Sequence, residues 1–114
     1  MKEYLLLFRG GDYDGQSPED AQAHMQKWVA WMSELGNQGK FVGAQPLIKT
    51  GRVVTGTKKV ISDGPFMEGK EMLGGYLICK ANSYDEAVEI SKGCPILEYN
   101  TGTVEVREIG EIKM

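Results

Sequence analysis

The chain has 114 residues, of which 41% are hydrophobic and 25% charged, with a net charge of −3, and these values predict one globular domain over residues 1–114. The largest basic cluster is the pair Lys58–Lys59, so the composition argues against nucleic-acid binding, which needs concentrated positive charge. The apolar runs are too short for a membrane span, and the opening "MKEYLLLFRGG" has the pattern of a strand, so we predict a cytoplasmic protein that contacts no membrane.

The first two predicted elements are a strand and a long helix. Residues 3–9, "EYLLLFR", form the strand. "SPED" at 17–20 begins the helix, because Ser17 can cap the first amides and Pro18 fits the first helical position. Apolar residues then recur at spacings of four and three, which is typical of a helix face that packs on a core. The predicted face contains Ala21, Met25, Trp28, Met32 and Leu35.

The second half of the chain adds strands and one more helix. "KFVGAQPLI" is a strand, "GRVVTG" with "TKKVIS" is an extra hairpin, and "GYLICKA" at 75–81 is the next strong strand. "SYDE" begins the second helix, with Ser83 as cap and Glu86 three residues on. "GTVEVREI" is the last strand. This order predicts an α+β fold of the ferredoxin-like type, with both helices on one face of an antiparallel sheet.

The cysteines give no indication of a metal site. Cys79 lies within an apolar strand and Cys94 precedes a proline, which indicates two buried, reduced thiols. A structural zinc site would need four ligands, and the chain has one histidine and no CxxC motif. Carboxylate side chains could still bind another kind of metal ion, which the sequence leaves open. Our prediction is a protein without a metal or cofactor.

The central strands predict a homodimer. In a sheet covered on one side, apolar and polar residues alternate along each strand. "YLLLF" and "YLIC" are apolar at both parities, so both faces require burial and the helices can cover only one. A second copy of the sheet would cover the other face; a long loop of the same chain is the alternative.

The stretch "SDGPFMEGKEMLGG" at 62–75 combines a turn with charges. Asp63 begins a rigid corner that Phe66 would anchor to the core. Three charged residues follow, and Gly74–Gly75 then allow another backbone to approach closely as the next strand begins. The chemical interpretation is a ligand site; a turn with solvated charges is the structural alternative. The three charged residues are Glu68, Lys70 and Glu71.

This stretch resembles the signature of the YCII-related proteins, specifically the DGPF-domain group. The matching motif is "DGPF.EGKE.LGGY", and "YLLLF", "SPED", "GKFVGAQPL", "SYDEAVEISKGCP" and "VEVRE" extend the similarity through most of the chain. The resemblance implies a ferredoxin-like protomer, a dimeric α/β-barrel assembly and a polar cleft that binds a small molecule. Proteins of the DGPF-domain group often accompany alternative sigma factors, so the resemblance also implies a regulatory role as an alternative function.

Some YCII-related proteins are thought to use a His–Asp pair for acid–base chemistry, which makes His24 and Asp63 the candidate catalytic residues. A histidine titrates near neutral pH and suits proton transfer when a carboxylate orients it. His24 stands beside the apolar helix face, so a flanking or surface position without a catalytic role is the alternative.

Two arginines are candidates for binding an anion. Alternation along "TVEVRE" places Glu105 and Arg107 on the face opposite the valines, so Arg107 points to the predicted dimer side, where it could bind a carboxylate. Arg9 has the same possibility at the end of the first strand. An ion pair of Arg107 with Glu105 or with a glutamate of the charged stretch is the structural alternative.

Two functions follow from these residues. The first is binding of a small anionic metabolite, with or without catalysis by a cofactor-independent lyase or isomerase, in which Arg9, Arg107, Glu68, Lys70 and Glu71 line the binding site. The second is a non-catalytic dimeric accessory or regulatory module. A purely structural interpretation, in which the charged stretch holds the dimer together, is the remaining alternative.

Overall fold

Within residues 1–11, 16–64 and 72–112, which are those that the computed structural model describes, the chain forms six strands and two α-helices. Their order and type agree with the prediction from sequence. In chain order they are β1 (Lys2–Arg9), α1 (Pro18–Asn37), β2 (Phe41–Pro46), β3 (Gly51–Thr55), β4 (Val60–Gly64), β5 (Leu73–Ala81), α2 (Tyr84–Ser91) and β6 (Thr103–Glu108), with a 3-10 turn at Pro95–Glu98 before β6.

Four of the strands form one antiparallel sheet in the order β2-β5-β1-β6. The register places Tyr4 of β1 opposite Cys79 of β5, and Leu6 opposite Val106 of β6. A β–α–β–β–α–β chain with this strand order has the ferredoxin-like arrangement, so the predicted fold class is confirmed. β3 and β4 form a separate two-stranded sheet, which is the predicted extra hairpin.

The core lies between one face of this sheet and both helices. Alternate residues of β1 and β5 point into it, and Leu6 and Leu77 are fully buried. Trp28 of α1 and Ala87 of α2 pack against these side chains. The Phe8 ring meets Trp28 edge to face, with the ring centroids 5.1 Å apart. Both helices therefore cover the same face of the sheet, as predicted.

Both cysteines are buried thiols without a disulfide, as the sequence indicated. Burial disfavours the thiolate and raises the pKa of Cys79 to about 11. The same effect raises the pKa of Cys94 to about 12. Both thiols therefore stay protonated at neutral pH.

Each helix begins at its predicted serine cap. The Ser17 hydroxyl accepts a hydrogen bond from the backbone N–H of Asp20 at 3.1 Å. The Ser83 hydroxyl accepts one from the backbone N–H of Glu86 at 3.2 Å. The two serine side chains therefore satisfy backbone donors at the start of both helices. The Glu86 carboxylate also accepts a hydrogen bond from the side-chain amide of Asn82 at 3.2 Å.

The core-facing side of α1 differs from the predicted stripe. Met25 is 60% exposed and Ala21 is exposed as well, so the prediction is wrong for the first two turns. His24 takes the buried position, with 7% exposure. It precedes Trp28 by one helical turn, and four residues bring two side chains to the same side of a helix. The apolar pattern missed this position because the residue there is polar.

The face of the sheet away from the helices is called the outer face below. Its central side chains are apolar and half-buried: Leu5, Leu7, Tyr76 and Ile78. The central strands therefore carry apolar side chains on both faces, as the sequence indicated.

Candidate functional site

The outer face carries charged side chains along β6. The pairing of β6 with β1 places Glu105 opposite Leu7 and Arg107 opposite Leu5. Residues opposite each other in an antiparallel pair share one face of the sheet. The two valines of β6 pack against the core instead. The predicted alternation of "TVEVRE" is confirmed.

Arg9 and Arg107 share the carboxylate of Glu105. Arg9 Nη1 donates to Glu105 Oε1 at 2.7 Å, and Arg107 Nη1 donates to Glu105 Oε2 at 3.2 Å. The hydrogen bond from Arg107, followed by that from Arg9, holds the pKa of Glu105 below its usual value. Two guanidinium groups face one carboxylate, so among the described residues this outer-face cluster keeps one uncompensated positive charge. The Arg107 side chain is 67% exposed and the Arg9 side chain 30%, so Arg107 is the more accessible donor.

These contacts correspond to the structural alternative for Arg107, an ion pair with Glu105. The ion pair lies within the chain, and in the described segments it does not use all the donors of either arginine. A guanidinium carries five N–H donors, and each contact with Glu105 involves one Nη1 atom.

His24 lies on the other side of the sheet, and it is buried, so the alternative of a surface position is wrong. Its Nε2 accepts a hydrogen bond from the Trp28 indole Nε1–H at 3.0 Å, and its Nδ1 lies 3.5 Å from Glu98 Oε2. The Tyr99 ring packs against the imidazole, with the centroids 5.0 Å apart. A neutral imidazole donates through one nitrogen and accepts through the other, so these partners assign the proton to Nδ1, directed at Glu98.

Glu98 is a candidate that the sequence did not reveal. It stands on the 3-10 turn, and its Oε1 accepts a hydrogen bond from Lys27 Nζ at 2.9 Å. Lys27 gives the largest contribution to lowering the pKa of Glu98, and His24 adds a smaller one. No motif links Glu98 to a helix so much earlier in the chain, so only the fold reveals this pair. A carboxylate against a histidine is the arrangement that acid–base sites use to orient an imidazole.

A cleft of ≈ 470 Å³ opens beside Glu98, between α1 and the segment that follows α2. It lies on the helix side of the sheet, so it is separate from the arginines of the outer face. Its lining combines two lysines with apolar side chains and one carboxylate: Lys27, Lys92, Cys94, Pro95, Leu97 and Glu98.

Asp63, the other predicted catalytic residue, joins neither group. Asp63 is exposed on β4, and its carboxylate forms an ion pair with Arg52 of β3. Three predicted ligand-binding residues, Glu68, Lys70 and Glu71, lie outside the described residues, as does Phe66 of the predicted corner. The structure therefore brings Arg9 and Arg107 together and places His24 on the opposite face of the sheet.

Two kinds of feature were also sought in the described segments. They contain no group of three His, Cys, Asp or Glu side chains placed to hold a metal ion. No helix in the same segments is long and apolar enough to cross a membrane.

Comparison with known proteins identifies the family. The sequence model of the YCII-related domain matches residues 4–113. An uncharacterised protein of Rhizobium meliloti (strain 1021) is 31% identical over 86 residues, which cover 67% of this chain and 69% of that protein. Among solved structures, 5-chloro-2-hydroxyhydroquinone dehydrochlorinase (TftG) from Burkholderia phenoliruptrix AC1100, in complex with 2,5-dihydroxybenzoquinone, aligns with 17% identity and a TM-score of 0.49 over 95% of this chain and 93% of that one. Because the family match spans almost the whole sequence, the chain belongs to the YCII-related domain family.

Proposed function

We propose that the protein is a homodimer that binds a small anionic metabolite on the outer face of its sheet, with Arg107 and Arg9 holding the anion. The observation that carries this proposal is the pair of arginines on the single carboxylate of Glu105, which leaves one positive charge uncompensated within the described segments. A guanidinium matches a carboxylate or a phosphate through parallel N–H donors, so the anion would be recognised by shape as well as charge.

The surroundings of the arginines support this role. Glu105 contacts both guanidinium groups and restricts their orientation before the ligand arrives. Leu5 and Leu7 pair with the residues that carry this charge, and apolar neighbours lower the local dielectric and strengthen an ionic contact. A small anion with an apolar part would satisfy both kinds of surface.

The dimer would complete the site. The apolar centre of the outer face, at Leu5, Leu7, Tyr76 and Ile78, is half-buried in one protomer. A second sheet packed on this centre would remove the remaining apolar surface from water and turn an open face into a cleft. The alternative, that a long loop of the same chain covers this face, predicts a monomer in solution.

The test is a thermal-shift screen of the purified protein against small carboxylates, hydroxy acids and phosphate esters. An anion at one hundred times its Kd stabilises the native state by about 2.7 kcal/mol, which raises the Tm. Arg107→Gln removes a charged hydrogen-bond donor and is expected to weaken binding about 10- to 100-fold. Lys92→Gln, on the helix side, is the control and leaves affinity unchanged.

Two results would contradict the proposal. In one, no anion of the panel raises the Tm of the wild-type protein. In the other, Arg107→Gln and Lys92→Gln bind the ligand equally well, which would place the site away from the outer face.

A second candidate is acid–base catalysis as a cofactor-independent lyase or isomerase. The observation that favours it is the contact of the His24 imidazole with the Glu98 carboxylate, beside the cleft of the helix side. His24 would move the proton there, while Asp63, the other predicted catalytic residue, lies on the hairpin with Arg52. The measurement is exchange of ligand protons for deuterium, followed by NMR. Loss of exchange in His24→Asn but not in Asp63→Asn supports His24, and unchanged exchange in His24→Asn removes it.

The same experiment addresses the non-catalytic alternative, an accessory or regulatory module linked to an alternative sigma factor. If the wild-type protein binds an anion and none of the anion's protons exchange for deuterium, the protein acts as a binding module. The burial of His24 and its hydrogen bond from Trp28 are what favour this outcome.

A further inference from the structure

The hairpin of β3 and β4, called the ribbon below, exposes apolar side chains on both of its faces. Val54 lies opposite Ile61 on one face, where the two residues are 62% and 69% exposed. Val53 and Val60 are also exposed, at 42% and 59%. Ordinary surface strands alternate apolar with polar residues, so a strand pair that is apolar on both faces indicates contact with another surface.

The ribbon stands apart from the rest of the fold. β3 and β4 pack on each other and make at most marginal contact with any other described element. The radius of gyration is 15.9 Å, whereas a compact domain of this length has a value of about 13 Å, which indicates a projecting part. A two-stranded hairpin without further packing is marginally stable in water, so this ribbon needs a partner surface.

We propose that the ribbon is an arm that packs against a second copy of the chain. The proposal rests on the homodimer proposed above and adds an interface to it. Each strand of the ribbon has five residues, so the ribbon is about 17 Å long, enough to cross the roughly 14 Å width of a four-stranded sheet. In a twofold dimer the arm of each protomer would reach the other in the same way.

The charges of the chain fit a second copy as the partner. The tip of the ribbon carries Lys58 and Lys59, both exposed and without an ion pair among the described residues. Three acidic residues, Glu3, Glu108 and Glu111, lie at the end of the sheet where β1 begins and β6 ends, with Glu3 on the outer face and Glu108 on the face of Tyr4. Within the described part of the protomer, Lys2 lies 3.7 Å from Glu108 and Lys80 stands opposite Glu3, so three carboxylates face two lysines. A basic tip and an acidic sheet end on the same chain make two copies complementary.

The test compares two matched variants by sedimentation equilibrium. In the double variant Val54→Ser/Ile61→Ser the apolar pair of one ribbon face is lost, and the dimer Kd is expected to rise about 100-fold. Val29→Ser changes a valine of α1 that is 52% exposed, and it leaves the Kd unchanged. The charge variant Lys58→Glu/Lys59→Glu also raises the Kd, by a factor that shrinks as salt is added.

Hydrogen exchange of the wild-type protein gives an independent measurement. The amides of β3 and β4 are expected to exchange slowly at protein concentrations above the dimer Kd and quickly below it. The arm proposal is overturned, and the homodimer proposal is kept, by two results together. The dimer Kd of the ribbon double variant equals that of the wild type, and the ribbon amides exchange at the same rate at both protein concentrations. A wild-type chain that stays monomeric overturns both, and slow ribbon exchange in a monomer shows packing within one chain.

Discussion

Gly74 and Gly75 are adjacent in sequence and have different surroundings, which gives a sharp test of the sheet. A Cβ atom on Gly75 would lie 2.9 Å from the carbonyl oxygen of Gln45 and 3.3 Å from the Cα of Pro46. Both are backbone atoms of β2, the strand paired with β5. A Cβ atom on Gly74 would lie 3.8 Å from the carbonyl oxygen of Phe8, an ordinary van der Waals distance.

The two alanine substitutions are therefore expected to act in opposite directions. Gly75→Ala must displace β2, and forced packing of this kind costs about 1–3 kcal/mol of unfolding free energy. Gly74→Ala meets no clash, and it restricts the unfolded chain, which stabilises a compatible site by about 0.4–1 kcal/mol. The variants should differ by about 1.4–4 kcal/mol, which corresponds to roughly 6–16 °C in Tm for a domain of this size.

The assay is urea unfolding followed by tryptophan fluorescence, at one protein concentration for all variants because a dimer makes stability depend on concentration. Trp28 and Trp31 both pack against the core, so their emission reports its loss. Equal midpoints for Gly75→Ala and Gly74→Ala would refute the close approach of β2 to Gly75. A lower midpoint for Gly74→Ala alone would show that the register of β1 and β5 is different.

Three further measurements follow from the fold. Ser17→Ala removes the α1 cap and is expected to cost about 1 kcal/mol in the same urea assay; an unchanged midpoint would mean that Ser17 does not cap the helix. The pKa of Glu105 in the folded state is lower than the usual pKa of 4.5. Its ion pairs therefore add stability at pH values above 4.5, and that stability is lost as the pH falls through the pKa of the folded state. The fall in Tm from pH 6 to pH 3 should accordingly be smaller in Arg107→Gln than in the wild type, and an equal fall would contradict this role of Glu105. Cys79 and Cys94 have pKa values of about 11 and 12, so iodoacetamide at pH 8 should label them only after unfolding, and rapid labelling of the native protein, measured by mass spectrometry, would show that they are accessible.

Local signals in the sequence were sufficient for the fold. Ser17 and Ser83 begin their helices by hydrogen bonds within three residues, so the sequence around each cap contains all the atoms involved. The apolar residues at both parities of β1 likewise indicated a sheet with two apolar faces, and Arg107 followed from the alternation of β6.

The contacts of the candidate site depend on residues far apart in the chain. The pattern of α1 assigned Met25 to the core because methionine is apolar, whereas His24 is buried there through its contacts with Trp28 and Glu98. Glu98 reaches that position only because the 3-10 turn packs beside α1, a tertiary contact without a sequence signature. Asp63, a predicted catalytic residue, pairs with Arg52 across its own hairpin and meets neither group.

The apolar sheet separates two sets of ionisable groups. Glu105 and its arginines are on one side, His24 with Glu98 is on the other, and the fully buried side chains of Leu6 and Leu77 lie between them. The two sets share no side-chain contact among the described residues, so each face can acquire new residues without altering the hydrogen bonds of the other. A protein divided in this way can change one set of ionisable groups in evolution and keep the other, so relatives with one face preserved and the other replaced are the expected result.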